Sequence, residues 1–301
     1  MPVIIANDLP SKKWLEKEHI FYMQKKEANR QDIRPLKTAV VNLMPTKEET
    51  ERQFLRLLSI SPLQNEVCFL HMNSHKSKNT DMSHMKKFYR TPKEIMKEKF
   101  DLMIITGAPV ETMPFEDVDY WAELAQLMEY TKKNVFCTLH ICWGAQAGLY
   151  YHYGVEKALL NKKCFGVYPN KIMDSKSPLF WGFDEEILVP HSRHTETDTA
   201  DIKKVKALKI EALSDKAGAS IMSAKEGRQI FITGHLEYDV DTLDKEYRRD
   251  VAKGVPIKKP ENYYKNDTPL STWRAGASLF YNNLINMVYQ RTPYDLNELE
   301  K

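Results

Sequence analysis

The chain has 301 residues, 42% of them hydrophobic and 28% charged, and its 44 basic residues against 41 acidic ones leave a net charge of +3. That length suits one large α/β domain or two small ones and is ample for a buried core. The near-neutral balance excludes binding to nucleic acid or a membrane surface as a main task. The four cysteines, Cys68, Cys137, Cys142 and Cys164, form no CxxC pair, which in a chain this long points to free thiols and a reducing compartment. The amino terminus turns charged too early for a signal peptide and no later apolar run is long enough to span a bilayer, so the expected location is cytoplasmic.

Residues 1–35 read as an N-terminal arm with a helix around Lys12 to Ala28, and residues 36–301 as a single α/β domain that includes the C-terminal helix. Ala39, Val40, Val41 and Leu43 form a buried strand closed by Pro45. Thr46, with Glu49 three residues on, offers a capping box for the next helix, which puts Phe54, Leu55, Leu57 and Leu58 on one side. EVCFLHM reads as a second strand and the lysine-rich HKSKNTDMSHMKKFYRTPKE as a surface excursion. DLMIITGAPVE is a third strand running into a turn, DYWAELAQLMEY a helix, and NVFCTLHICWGAQAGLYYHYG a strand, an abrupt turn and a helix. Further strands fall at EILVP, KIEALS, ASIMSA and RQIFITGHLEY, and a last helix carries Leu279, Phe280, Leu284 and Met287 at helical spacing. Strands and helices alternating at these lengths predict an α/β fold with a doubly wound, mainly parallel sheet flanked by helices. In such sheets the reacting groups gather at the carboxyl ends of the strands.

Cys142 stands where such a group belongs. The apolar, partly β-branched run from Val135 to Ile141 predicts a central strand, and Gly144, Ala145, Ala147 and Gly148 supply the small residues that a sharp strand-to-helix turn needs. A sulfur held there has the geometry of a nucleophile elbow. Exposed N–H groups and the positive end of the helix dipole favour its thiolate, and the backbone N–H of Trp143 points towards a developing oxyanion. Cys137, mid-strand, and Cys68 read as buried, inert thiols.

A thiol needs a base. In RQIFITGHLEYD, Gly234 breaks a strand-like run, and His235 and Glu237 follow at a spacing of two, which puts both on one face of an extended chain. Glu237 then fixes the imidazole tautomer while His235 exchanges protons with Cys142 and the substrate. His71 and His75 are four apart but lack a third ligand at motif spacing, so no metal site is expected. His191 and His194, in PHSRHTE, follow a strand and are candidates for the substrate pocket.

The elbow cysteine with His-x-Glu resembles the class I glutamine amidotransferases, a flavodoxin-like fold, but His140 stands at the first glycine of their cysteine signature and Leu236 at the proline of their His-Pro-Glu. Both departures match a related group, the homoserine O-acyltransferases of methionine biosynthesis. That resemblance covers nearly the whole chain through QDIRPLKTAVVNLMPTKEETERQFLRLLS, IITGAPVE, ICWGAQAGL, KKCFGVYPN, PHSRHTE, FITGHLEYD and EYRRD. It implies Cys142 as the acyl-thioester nucleophile, His235 as the base and Glu237 as its partner. It also implies Lys163, Ser192 and Arg249 as substrate contacts and a homodimer as the assembly, and Arg249 suits the carboxylate of homoserine.

Members of the family use acetyl-CoA or succinyl-CoA, and Glu111 and Ser192 match positions that select between them. A succinyl carboxylate buried beside the Glu111 carboxylate is repelled, so acetyl-CoA is the expected co-substrate and no bound cofactor is expected. The expected reaction is a two-step transfer through a Cys142 thioester, with the oxyanion held by the N–H groups of Trp143 and Ala108; Pro109 has no N–H to give. The alternatives are a homoserine O-succinyltransferase and a glutamine amidotransferase-type hydrolase.

Overall fold

The computed structural model describes residues 3–18, 20, 22–25, 34–75 and 80–300. In chain order the first half runs β1 (Val3–Ile5), α1 (Lys12–Lys17), β2 (Tyr22–Gln24), β3 (Leu36–Val41), α2 (Lys47–Leu58), β4 (Asn65–Leu70), α3 (Met82–Phe88), β5 (Tyr89–Arg90), α4 (Pro92–Ile95), β6 (Phe100–Ile105) and α5 (Trp121–Asn134). The second half runs β7 (Val135–Ile141), α6 (Trp143–Tyr153), β8 (Ala158–Ile172), β9 (Glu186–Glu196), α7 (Thr199–Lys204), β10 (Leu208–Ser214), β11 (Gly218–Ala224), β12 (Gln229–Ile232), α8 (Thr242–Ala252) and α9 (Arg274–Arg291). The main sheet has the order β2-β1-β4-β3-β6-β7-β12-β11-β10-β8-β9, with β5 also on β4. Every pairing from β2 across to β12 is parallel, and those from β12 outward to β9 are antiparallel.

Period-two alternation along the central strands assigns each helix to a face. Val40, Leu102, Ile104, Leu139 and Ile141 pack with Phe54, Leu55, Leu57 and Leu58 of α2 and with the buried side of α9. Their neighbours Ala39, Val41, Met103 and Ile105 pack instead with Leu124, Leu127 and Met128 of α5 and with Trp143 and Ala147 of α6. Each fully buried large apolar side chain contributes about 1.5–3 kcal/mol, so the sheet is locked from both faces. The carboxyl ends of β3, β6, β7 and β12 therefore converge on one rim.

Several expectations need correction. Thr46 does sit at the start of α2, but its side chain makes no capping hydrogen bond; the capping box forms at Thr91 and Glu94 instead. In the N-terminal arm, β1 pairs with β4 and Leu15 is buried in the main core. The helix expected from Lys12 to Ala28 ends at Lys17, and residues 26–28 lie outside the described ones. The lysine-rich excursion folds into α3, β5 and α4, burying His84, Met85 and Tyr89; its residues 76–79 are not among those described.

Candidate active site

β7 ends at Ile141 and α6 starts at Trp143, leaving Cys142 alone in the bend at φ 51° and ψ −118°. A non-glycine residue rarely adopts a positive φ, and here the surroundings hold it there. The Cys142 N–H donates to Ile232 O at 2.7 Å, and the Cys142 carbonyl accepts from Ala145 N–H at 3.0 Å and Gln146 N–H at 3.1 Å. The bend fits because its neighbours are small. A Cβ on Gly144 would lie 2.6 Å from Thr106 O and 2.8 Å from Ile105 O, both backbone atoms of the adjacent β6 rim. Trp143 is the first helical residue, so its N–H has no acceptor within α6, and its fully buried indole packs against Phe115 and Tyr120.

The departures from the amidotransferase signatures have a packing explanation. His140 is fully buried and stacks on Phe231 at 4.9 Å between ring centroids. Its Nδ1 lies 3.3 Å from Gly144 O. A Cβ on Gly148 would come within 2.6 Å of that Nδ1, so the histidine and this glycine go together. Burial pushes the His140 imidazole down to about 3, so it serves as neutral packing beneath the bend. Leu236, at the proline position, is buried in the main core.

His235 arrives from the neighbouring strand. β12 stops at Ile232, so His235 and Glu237 meet across a turn rather than along the expected extended strand, with Nδ1 2.6 Å from Glu237 Oε1. Both side chains are buried, at 3% and 6% exposure. The opposite edge of the ring faces the sulfur: a Cβ on Gly107 would touch both Cys142 Sγ, at 3.7 Å, and His235 Cε1, at 3.4 Å. Burial disfavours the imidazolium, but the charges and hydrogen bonds of Cys142 and Glu237 outweigh it and hold the ring well above its ordinary pKa. Tyr238 stacks face to face on the imidazole, 4.0 Å away at 12°.

A cavity of about 380 Å³ opens over this pair. Its lining includes Gly107, Ala108, Glu111, Cys142, Lys163, Ser192, His194, His235 and Arg249. Nearly every sequence-predicted site residue is thus brought to one space, with Glu237 behind the ring and Trp143 beneath the bend. His191 is the exception: it is fully buried, between Ser220 Oγ at 3.4 Å and Arg193 Nε at 3.4 Å, and lines no part of the cavity. His71 and His75 lie elsewhere; His75 Nδ1 is 2.8 Å from Asp119. Among the described residues no group of three or more candidate ligands is placed to hold a metal.

The cations of the cavity are not alone. Lys163 Nζ lies 3.3 Å from Asp250 and 3.8 Å from Glu246, and Arg249 donates to Asp250 at 2.8 Å. Glu246 also accepts hydrogen bonds from Ser192 Oγ and, at 3.0 Å, from Tyr238 OH. Glu246, Asp250 and Tyr238 escaped the sequence reading. The signal was present in EYRRD: three and four residues separate Glu246 from Arg249 and Asp250, so all three share one side of a helix.

A cysteine on a strained strand-to-helix bend, beside an imidazole and a carboxylate that follow just past the end of the next parallel strand, marks the candidate active site of this mainly parallel α/β fold. A glutamine amidotransferase from Thermotoga maritima superposes with a TM-score of 0.55 at 12% identity, covering 85% of this chain and 99% of that one. Another, from Methylobacillus flagellatus, gives 0.54 at 12%, covering 86% and 95%. Such identities speak for the fold alone. Sequence relationship goes further: a family model described as homoserine O-succinyltransferase matches residues 2–294, and the chain belongs to that family. Relatives named homoserine O-acetyltransferase from Bacillus cytotoxicus, Bacillus mycoides and Bacillus cereus are 52%, 54% and 53% identical over 301 residues, each match covering 98% of this chain and 100% of the relative. The resemblance and the fold read from the sequence are both borne out.

Proposed function

We propose that this chain is a homoserine O-acetyltransferase that moves the acetyl group of acetyl-CoA, by way of Cys142, to the hydroxyl of L-homoserine. The reading is carried by one observation: the Cys142 and His235 side chains, with Glu237 behind the imidazole, open into a cavity whose wall alternates acid and base. Such a wall suits an α-amino acid, with the Arg249 fork taking the carboxylate and Glu246 the ammonium. Lys163 and Ser192 brace Glu246 from the other side.

In the first step the Cys142 thiolate attacks the thioester carbonyl, forming a carbon–sulfur bond and an oxyanion held by the Trp143 and Ala108 N–H groups. Each such donor is worth about 3 kcal/mol in the transition state. Collapse breaks the bond to CoA, whose thiolate leaves with the His235 proton. His235, now neutral, takes the proton of the homoserine hydroxyl as that oxygen attacks the acyl-cysteine. The second collapse releases O-acetylhomoserine and restores the thiolate and imidazolium. Glu237 holds Nδ1–H throughout, so the proton moves at Nε2. No bound cofactor takes part.

Glu111 stands in the acyl wall, its Oε2 accepting from His194 N–H at 2.8 Å. A succinyl carboxylate about 5 Å from it meets roughly 3 kcal/mol of repulsion at an effective dielectric near 20, or about a hundredfold in selectivity. The family model carries the name of the succinyl enzyme, so the deciding experiment is a side-by-side assay of acetyl-CoA and succinyl-CoA with homoserine. Acetyl transfer should dominate, Glu111→Gly should raise succinyl use relative to acetyl use, and an unchanged ratio would remove Glu111 from the argument. Incubation with acetyl-CoA alone should add one acetyl group at Cys142 by intact mass. Normal turnover without that adduct sinks the covalent route.

The described part of residues 1–35 and the rest of the chain act as one catalytic unit, a reading supported by the β1–β4 pairing. Four free cysteines, and no helix among the described residues that is long and apolar enough to cross a membrane, support a cytoplasmic setting. A homodimer rests on family resemblance, and light scattering reads it directly.

A further inference from the structure

Repulsion selects against a longer acyl group only if the repelling carboxylate cannot swing away. A glutamate on a free loop escapes by rotating into water, at a cost below the repulsion it avoids, and then discriminates nothing. The surroundings of Glu111 deny it that escape. Lys157, four residues beyond the end of α6, donates to Glu111 O at 2.6 Å and to Met113 O at 2.7 Å. Its ammonium also lies 4.9 Å from the centre of the Phe115 ring, and Phe115 stacks on Tyr150 of α6 at 4.7 Å and 18°. The loop is thereby fastened to the helix that begins at the nucleophile.

The carboxylate end is held from β9. Besides the His194 N–H, the Thr195 hydroxyl lies 3.3 Å from Glu111 Oε2 and 3.0 Å from Gln146 Oε1 in the first turns of α6. Thr195 and Gln146 are nearly fully buried, so their polar atoms have little water to turn to. With one proton to give, that hydroxyl stands between the Glu111 carboxylate of the cavity wall and the buried Gln146 behind it.

We infer that Lys157 and Thr195 are positioning residues for acyl-donor choice: together they clamp the Glu111 loop between α6 and β9 so that its carboxylate stays in the path of a longer acyl chain. This rests on the assignment of Glu111 as the selecting side chain. Lys157→Met keeps the stem and removes both hydrogen bonds; Thr195→Val keeps the shape and removes the bridge. Each should lower the ratio of kcat/KM for acetyl-CoA over succinyl-CoA by about tenfold, the worth of roughly one hydrogen bond to a charged group. Lys157→Arg and Thr195→Ser, which keep the donors, should restore it.

The ratio is the informative readout, because a purely structural role lowers both activities together and leaves it unmoved. Should Lys157→Met fail to fold, Thr195→Val still decides, since it exchanges one buried oxygen for a methyl group. Ratios unchanged in both variants, with Glu111→Gly shifting its own ratio, overturn the clamp and leave the selector standing. An unchanged ratio in Glu111→Gly as well removes the selector, and the clamp falls with it.

Discussion

Gly144→Ala tests the confinement of the nucleophile most directly. The added methyl would sit 2.6 Å from Thr106 O, where ordinary contact begins at 3.4 Å. About 0.8 Å must therefore be found by moving backbone, since no flexible side chain is there to give way. Overpacking of this kind costs about 1–3 kcal/mol, and the alanine returns roughly 1 kcal/mol of helix propensity. The net loss of about 0–2 kcal/mol is a fall in Tm of a few degrees at most for a chain of this size. Activity should suffer far more. The displaced atoms are the Cys142 bend and the Trp143 N–H, and a misplacement near 1 Å costs about a hundredfold in rate.

Gly154→Ala is the control. It lies at the far end of the same helix with φ +67° and nothing within 4 Å, so its cost is about 1–2 kcal/mol of left-handed backbone strain without any push on the bend. The two variants should melt within a few degrees of each other, while only Gly144→Ala loses kcat, by tenfold or more. Thermal melts beside steady-state acetyl transfer measure both quantities. Should Gly144→Ala keep kcat within about threefold of wild type, the bend is not wedged against β6 and the geometric account of the nucleophile is wrong.

The raised pKa of His235 predicts that the imidazolium, and with it acetyl loading of Cys142, persists to pH values well above 6.5 and declines only as that proton is lost. Glu237 is one of the groups that raises it, so Glu237→Gln should move this alkaline limb to lower pH, as read from kcat/KM for acetyl-CoA against pH. A limb that stays in place refutes the role of Glu237. Arg249→Ala should raise KM for homoserine by roughly 10- to 100-fold, the loss of a charge-assisted fork, with little change in Cys142 loading; an unaltered KM reassigns the carboxylate contact.

The central strands were legible because burial on both faces leaves a continuous apolar run, as in Val135 to Ile141, and the turn after them was legible because its packing admits only small residues. β8 was not. The first half of this 15-residue strand is largely exposed, at the start of the long β8–β9 hairpin, so Leu159-Leu160-Asn161-Lys162 shows no alternation to read. The pairing of His235 with Glu237 was anticipated from their spacing, yet the strand supposed to align them ends three residues early. A turn brings the same two side chains together, so the spacing pointed to the right contact through the wrong backbone.

α8 shows why the proposed substrate-binding half of the site is the harder half to read. Its buried residues are Leu243 and Asp250, with Tyr247 half-buried against the main core, so its apolar stripe is short. The reason lies in what the helix faces. Glu246, Arg249, Asp250 and, just past its end, Lys253 line the cavity, and a wall proposed to grip a zwitterion cannot also be a hydrophobic face. The proposed catalytic residues sit at or just past the ends of strands whose burial advertises them. The residues proposed to bind the amino acid sit on an element whose other side carries the Arg248–Asp244 ion pair and the meeting of Tyr263 and Tyr264 with Asp244. The polarity proposed to serve the substrate is what shortens the apolar pattern of α8, and the offsets of three and four from Glu246 to Arg249 and Asp250 mark its cavity side.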